Sequence, residues 1–200
     1  MEWLYKGYNK RKNEIKQRLS EFSRVSGDDI FYELCFCLMT PQSNGKRCGE
    51  VANDLMEKGF VNSEVDLVPL LKKRTRFHNH KATYLIQMKN KYNEILDALK
   101  SGKRPNEMRE WLVKNIKGIG MKEASHFLRN IGYTDLAILD RHILKNLVKC
   151  RVIDSLPKPL NAKKYVEIEE LFKKFSFRIG ISMDELDLLF WSEETGEVFK

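Results

Sequence analysis

The sequence predicts an all-α protein, and three observations carry the prediction. Apolar residues recur at helical spacing along nearly the whole chain. No segment alternates with period two for long enough to make a strand. The interruptions fall at Gly, Pro and capping residues. Residues 2–24 space Trp3, Tyr8, Ile15, Leu19 and Phe22 as one apolar face among charges. Asp28 or Asp29 can cap the next helix, and Ile30 to Met39 is almost continuously apolar, as expected of a buried central helix. Pro41 stops it. The polar loop Gln42-Ser43-Asn44-Gly45 leads into a helix marked by Cys48, Val51, Ala52, Leu55 and Met56 that ends near Gly59. A short helix is expected around Asp66–Lys73 and a longer one from about His80 to Leu99, before Ser101-Gly102 and Pro105 break the chain. The second half reads as helices at about 106–115, 121–131, 140–149 and 161–176. Ser182 and Glu185 then form a capping box that starts a last helix carrying Leu186, Leu189, Phe190 and Trp191. There is no internal repeat and no low-complexity tract.

Composition narrows the class. Two hundred residues with 42% hydrophobic content suit a soluble protein of one or two domains. A chain of this length buries roughly 70% of its unfolded surface and needs no metal or staple to fold. No apolar run approaches the roughly 20 residues of a membrane span, which argues against an integral membrane protein. Met-Glu-Trp-Leu-Tyr-Lys-Gly at the start lacks the apolar core of a secretory signal. Cysteines at 35, 37, 48 and 150 show no zinc spacing, and Cys150 alone follows Cys48, which excludes an iron–sulfur cluster on four grouped C-terminal cysteines. Buried free thiols in a reducing, cytoplasmic setting are expected.

Charge is uneven. Residues 182–200 hold six acids against one base, whereas residues 1–181 hold 35 bases and 22 acids. Between Lys100 and Arg151, twelve bases face five acids. A local excess of this kind suits a polyanion, nucleic acid being the commonest, although a solvated lysine-rich surface would look the same.

Within that basic quarter lies Ile116-Lys117-Gly118-Ile119-Gly120-Met121-Lys122-Glu123-Ala124. Gly118 and Gly120 permit backbone conformations closed to other residues and let another chain approach closely. Ile119 between them can plug into the core, and Ala124 leaves room for the helices to cross. Such a turn offers backbone amides at a helix start, where partial positive charge favours phosphate. Its carbonyls at 117–120 could hold Na⁺ or K⁺. The pattern resembles the helix-hairpin-helix, a clamp on the DNA backbone that does not read sequence.

Lys122 and Asp140 turn a binder into a candidate enzyme. Lys122 lies in the first turn after the hairpin, where a cation is disfavoured, so its proton is expected to leave more readily than that of a surface lysine. A neutral amine can attack a sugar carbon and form a Schiff base. Asp140, in Leu139-Asp140-Arg141-His142, falls at the start of the next helix. Its carboxylate could stabilise positive charge on a deoxyribose as a base departs and assist proton movement. The structural alternatives are a phosphate contact for Lys122 and a helix cap for Asp140. Arg129 and His142 are candidate phosphate contacts beside the hairpin, and His126 is expected to be packed or merely exposed.

The hairpin with Lys122, followed by Leu139-Asp140-Arg141-His142, resembles the helix-hairpin-helix–Gly/Pro–Asp superfamily of DNA glycosylases. Leu38-Met39-Thr40-Pro41-Gln42-Ser43-Asn44 is similar to its loop near the lesion, and Arg76-Phe77-His78-Asn79-His80-Lys81-Ala82 to the start of its middle helix. The tail Trp191-Ser192-Glu193-Glu194-Thr195-Gly196-Glu197-Val198-Phe199-Lys200 is similar to the end of the second, mainly archaeal family of 8-oxoguanine DNA glycosylase/AP lyases. The missing cysteine quartet departs from the endonuclease III branch.

The resemblance implies two helical domains flanking a basic DNA-binding cleft, residues 1–30 with 150–200 and residues 31–149, the hairpin spanning about 112–131. It implies a monomer acting on damaged double-stranded DNA in the nucleoid, with no required cofactor, Lys122 as nucleophile and Asp140 as assisting carboxylate. Gln42 matches a position that fills the gap left by the extruded base or meets its orphaned partner. Asn44, Ser43 and Lys81 could touch the backbone or the site. Phe77 and Trp191, with Met39 as a third, are the candidates to stack on the extruded purine, and Lys200 to contact it. Two other readings stay open on sequence alone: a non-catalytic hairpin binder and a glycosylase for another lesion.

Overall fold

A computed structural model describes residues 1–200 as eleven helices with no strand. The order is α1 (Glu2–Phe22), α2 (Asp29–Met39), α3 (Gly45–Glu57), α4 (Leu67–Lys72), α5 (His78–Asn90), α6 (Tyr92–Lys100), α7 (Pro105–Asn115), α8 (Met121–Asn130), α9 (Arg141–Lys149), α10 (Ala162–Ile179) and α11 (Met183–Thr195). The predicted all-α class and ten of these starts follow from apolar stripes and caps. The helix expected over 80–99 divides at Lys91, whose backbone (φ −102°, ψ 7°) leaves the helical region. Neither Gly nor Pro announces the break. Packing accounts for it: Tyr92 meets Phe31 edge-on at 4.9 Å, and Lys91 Nζ donates to the Asn115 carbonyl at 3.2 Å.

The chain forms two units, Val25–Phe127 and Met1–Arg24 with Leu128–Lys200. The expected second boundary at 149/150 is therefore corrected to 127/128, inside α8. The reason lies in α9, whose stripe of Ile143 and Leu147 is fully buried in a helix packed on α11. Residues 128–149 thus share the core of the terminal unit.

In the central unit, α2 is the axis. Eight of its eleven residues are buried, and it packs on α3 and α5. Phe31 meets Tyr32, Phe60 and Tyr92 within 5.6 Å, edge-on to the two tyrosines and tilted to Phe60, a geometry that adds to plain area burial. Cys35, Cys37 and Cys48 are buried free thiols here, as is Cys150 in the terminal unit. In the terminal unit α11 is the axis, packed on α1, α9 and α10. Ser182 caps α11 through the predicted box: its Oγ accepts from Glu185 N at 3.2 Å, and Glu185 Oε2 accepts from Ser182 N at 3.1 Å.

Arg129, expected to contact phosphate, is instead a core residue at 2% exposure. Its Nη2 pairs with Asp187 Oδ2 at 3.3 Å, and its guanidinium lies 4.8 Å over the Phe22 ring. Beside it, Asp184 is 5% exposed. Burial pushes its carboxyl up to about 6, against the opposing pull of Arg129 and of an N–H from Asp135. The folded value exceeds the ordinary 3.8, so folding disfavours the charged form, and stability falls as pH rises from about 4 to about 6. Asp184→Asn should therefore match the wild type near pH 4 and exceed it by about 1–3 kcal/mol above pH 6.5. Urea unfolding of both proteins across that range checks this.

Candidate active site

The hairpin forms in the central unit as α7, a turn over 116–120, and α8. Ile116 and Ile119 are buried and hold the turn to the core, with Ile119 N donating to the Ile116 carbonyl at 3.4 Å. Ala124, fully buried, donates its N–H to the Gly120 carbonyl at 3.0 Å. Gly118 sits at φ +88° directly against the Tyr84 ring of α5. A Cβ there would fall 2.4 Å from a ring carbon, so the position needs glycine twice over, for conformation and for space. Gly118→Ala should cost about 2–3 kcal/mol of stability. A second change, Tyr84→Ala, should return only the steric part, as urea unfolding of the double variant would show.

Lys122 occupies the first turn of α8 and is partly exposed. Its Nζ lies 3.1 Å from Glu123 Oε1, while Glu123 Oε2 accepts the Gly120 N–H at 3.3 Å. Glu123 was not singled out from sequence. The signal was present, because an acid three residues after a turn glycine is the second half of a capping box.

Lys122 is electrically coupled to Lys81, on α5. Lys81 is 4% exposed, and its Nζ donates to the carbonyls of Met39 and Pro41 and to Ser43 Oγ, the last two at 2.9 and 2.7 Å. Burial first, and the Lys122 charge in addition, lower its pKa, while Cys48 opposes them. Cys48, whose thiol donates to the Met39 carbonyl at 3.4 Å, is itself pushed up to about 11 by burial. Ser43 Oγ also accepts the Arg76 N–H at 2.9 Å, which joins the 40–44 loop to the turn before α5.

That junction gathers several predicted residues. Gln42 is exposed at φ +54°, and Phe77 is 51% exposed at φ +56° with the Arg76 guanidinium 5.6 Å from its ring. Both are non-glycine residues in the left-handed region, a strain that persists where surroundings enforce it and that clusters at functional sites. Asn44 caps α3 by accepting the Arg47 N–H at 3.1 Å. Met39 does not join them. Its side chain is at 0% exposure in the core, so it offers no face to a base, and only its carbonyl takes part. His126 is packed against Phe36, edge-on at 5.5 Å.

In the terminal unit, Asp140 is the N-cap of α9. One carboxylate oxygen accepts from His142 N at 2.7 Å and Ile143 N at 2.8 Å. His142 faces its own unit, with Nδ1 3.5 Å from Glu194 Oε2, its ring edge-on to Trp191 at 6.4 Å, and Nε2 accepting from Arg141 Nε. Trp191 is half-buried on α11. Val198 is buried, and Phe199 and Lys200 are partly buried behind it, so the tail packs rather than frays. Arg11 Nη2 donates to the Gly196 carbonyl at its root.

No group of three or more His, Cys, Asp or Glu side chains is placed to hold a metal ion, and no helix is long and apolar enough to cross a membrane.

Comparison with known proteins agrees across the chain. The family model for 8-oxoguanine DNA glycosylase, of the helix-hairpin-helix type, matches residues 15–181. The 8-oxoguanine DNA glycosylase/AP lyase of Fusobacterium nucleatum is 42% identical over 98% of this chain and 96% of its own. The crystal structure of the 8-oxoguanine DNA glycosylase of Thermotoga maritima superposes with a TM-score of 0.90 at 33% identity, covering 100% of this chain and 97% of that one. The Methanocaldococcus jannaschii 8-oxoguanine glycosylase/lyase, crystallised with a 15mer DNA containing 8-oxoguanine, superposes with a TM-score of 0.88 at 36% identity over both chains in full. Matches of this identity and coverage place the chain in one family: it belongs to the helix-hairpin-helix 8-oxoguanine DNA glycosylase/AP lyases.

Proposed function

We propose that this protein binds duplex DNA as a monomer in the nucleoid, extrudes 8-oxoguanine, removes it and nicks the strand, with Lys122 as the nucleophile of both steps. The observation that carries the reading is the Lys122 amine. It stands partly exposed in the first turn of α8, directly behind the glycine hairpin and 3.1 Å from Glu123 Oε1. Backbone amides at that helix start suit a phosphate, and the turn's carbonyls suit Na⁺ or K⁺, though no step below depends on a bound ion.

Once neutral, Lys122 Nζ attacks C1′ as the N-glycosidic bond breaks, and the base leaves with the bonding pair and takes up a proton. Ring opening at O4′ gives a Schiff base. Loss of a C2′ proton then expels the 3′ phosphate by β-elimination, and water releases the amine. Asp140, its carboxylate fixed by two N–H groups, stabilises positive charge on the sugar and relays protons. Phe77 and Trp191 are the side chains offered to stack on the extruded purine, stacking being worth roughly 1–3 kcal/mol per base. Lys200 meets the base edge, and Gln42 fills the vacated stack, with Asn44 and the hairpin glycines along the backbone.

Borohydride trapping on a labelled duplex with 8-oxoguanine opposite cytosine tests this. The wild type should give a covalent band and Lys122→Ala none. Tight binding by the wild type with neither band nor cleavage would leave a non-catalytic binder. Base release without a band would point to water as nucleophile.

A further inference from the structure

Lys81 is a buried cation of the central unit whose hydrogen-bond partners all lie within residues 39–43. Lys81 uses its three protons on the Met39 carbonyl, the Pro41 carbonyl and Ser43 Oγ. The charged amine has a proton for each of these three acceptors and is held almost out of water by carbonyl dipoles. Burying an ammonium without a carboxylate partner is costly and calls for a return elsewhere. Gln42 lies between two of the three acceptor residues, and Phe77 follows Arg76, whose N–H shares Ser43 Oγ with Lys81. The two exposed side chains that adopt left-handed backbone in this unit are thus the ones this ammonium braces.

We propose that Lys81 is a positioning residue for lesion extrusion: it locks the 39–43 loop and, through Ser43, the 74–77 turn, so that Gln42 and Phe77 meet the DNA in their strained conformations. The inference rests on the excision reading above. Left-handed backbone at Gln and Phe is strained and relaxes when its supports go. Loss of Lys81 should then misplace both side chains, while the hairpin that carries Lys122 keeps its own supports in Ile116, Ile119 and Ala124.

Two substrates separate this role from a merely structural one. Excision of 8-oxoguanine requires extrusion from the stack. Cleavage at a preformed abasic site requires only Lys122 and the sugar. Lys81→Met should slow single-turnover excision by about 10²-fold, the effect of a displacement near 1 Å, and abasic-site cleavage by less than about threefold. Ser43→Ala, which buries no new group, should move the same ratio by about three- to tenfold, and it decides the matter if Lys81→Met does not fold. Equal losses on both substrates, or no loss on either, would overturn the proposal. A wild type that cleaves abasic DNA but leaves 8-oxoguanine in place would instead overturn the excision reading, and the inference with it.

Discussion

Lys122→Gln is expected to lower single-turnover excision of 8-oxoguanine by about 10³–10⁵-fold while changing duplex affinity by less than about tenfold. The asymmetry follows from where the amine stands. In the proposed reading, anchoring to DNA is spread over the hairpin amides and the bases between Lys100 and Arg151 other than the buried Arg109 and Arg129, so one charge is a small part of the binding. The covalent chemistry proposed has one nucleophile. Glutamine keeps much of the stem's packing and a hydrogen-bonding head, so α8 and the Glu123 cap on Gly120 should survive, and circular dichroism should be unchanged. The same variant should lose abasic-site cleavage in parallel, because the proposed mechanism takes both steps through Nζ. Loss of cleavage with excision retained would divide the two activities between residues and overturn a single-amine mechanism. Equal affinity losses at low and high salt would also count against the picture, since an ionic anchor weakens with salt.

Much of this arrangement is legible in the chain, and most of what is not has one physical cause, partners remote in sequence. The shape of the hairpin is local: Gly118, Ile119, Gly120 and Ala124 set the turn within a few residues, and their spacing conveys it. Asp140 is local in the same sense, since the N–H groups it accepts lie two and three residues on. Arg129 is not. An arginine on the helix behind a basic hairpin reads as a phosphate contact, yet Phe22 and Asp187, which claim it, are far away in sequence. Met39 fails for the opposite reason: its loop reads as lesion-facing, but its side chain belongs to α2 and its core. Lys81 is again remote from its partners, so its sequence neighbours say nothing of the three bonds it makes. The helix break at Lys91 belongs with these, being made by Phe31 and Asn115 rather than by any breaker residue.

Asp140→Asn separates the two roles that one carboxylate fills. As the N-cap of α9, Asp140 accepts two N–H bonds through a single oxygen, and asparagine caps about as well as aspartate. The folded protein should therefore lose less than about 0.5 kcal/mol, whereas Asp140→Ala should lose about 1 kcal/mol with the cap. Charge is what asparagine cannot supply. If Asp140 stabilises a developing positive centre on the sugar, excision should fall by about 10²–10³-fold in both variants, despite their different stabilities. Duplex affinity should hold or rise in both, because removing a negative group cannot weaken attraction to a polyanion. Excision that tracks stability, normal in Asp140→Asn and reduced in Asp140→Ala, would make Asp140 a helix cap and nothing more. The discriminating quantity is thus the excision rate of Asp140→Asn under conditions where its unfolding midpoint matches that of the wild type.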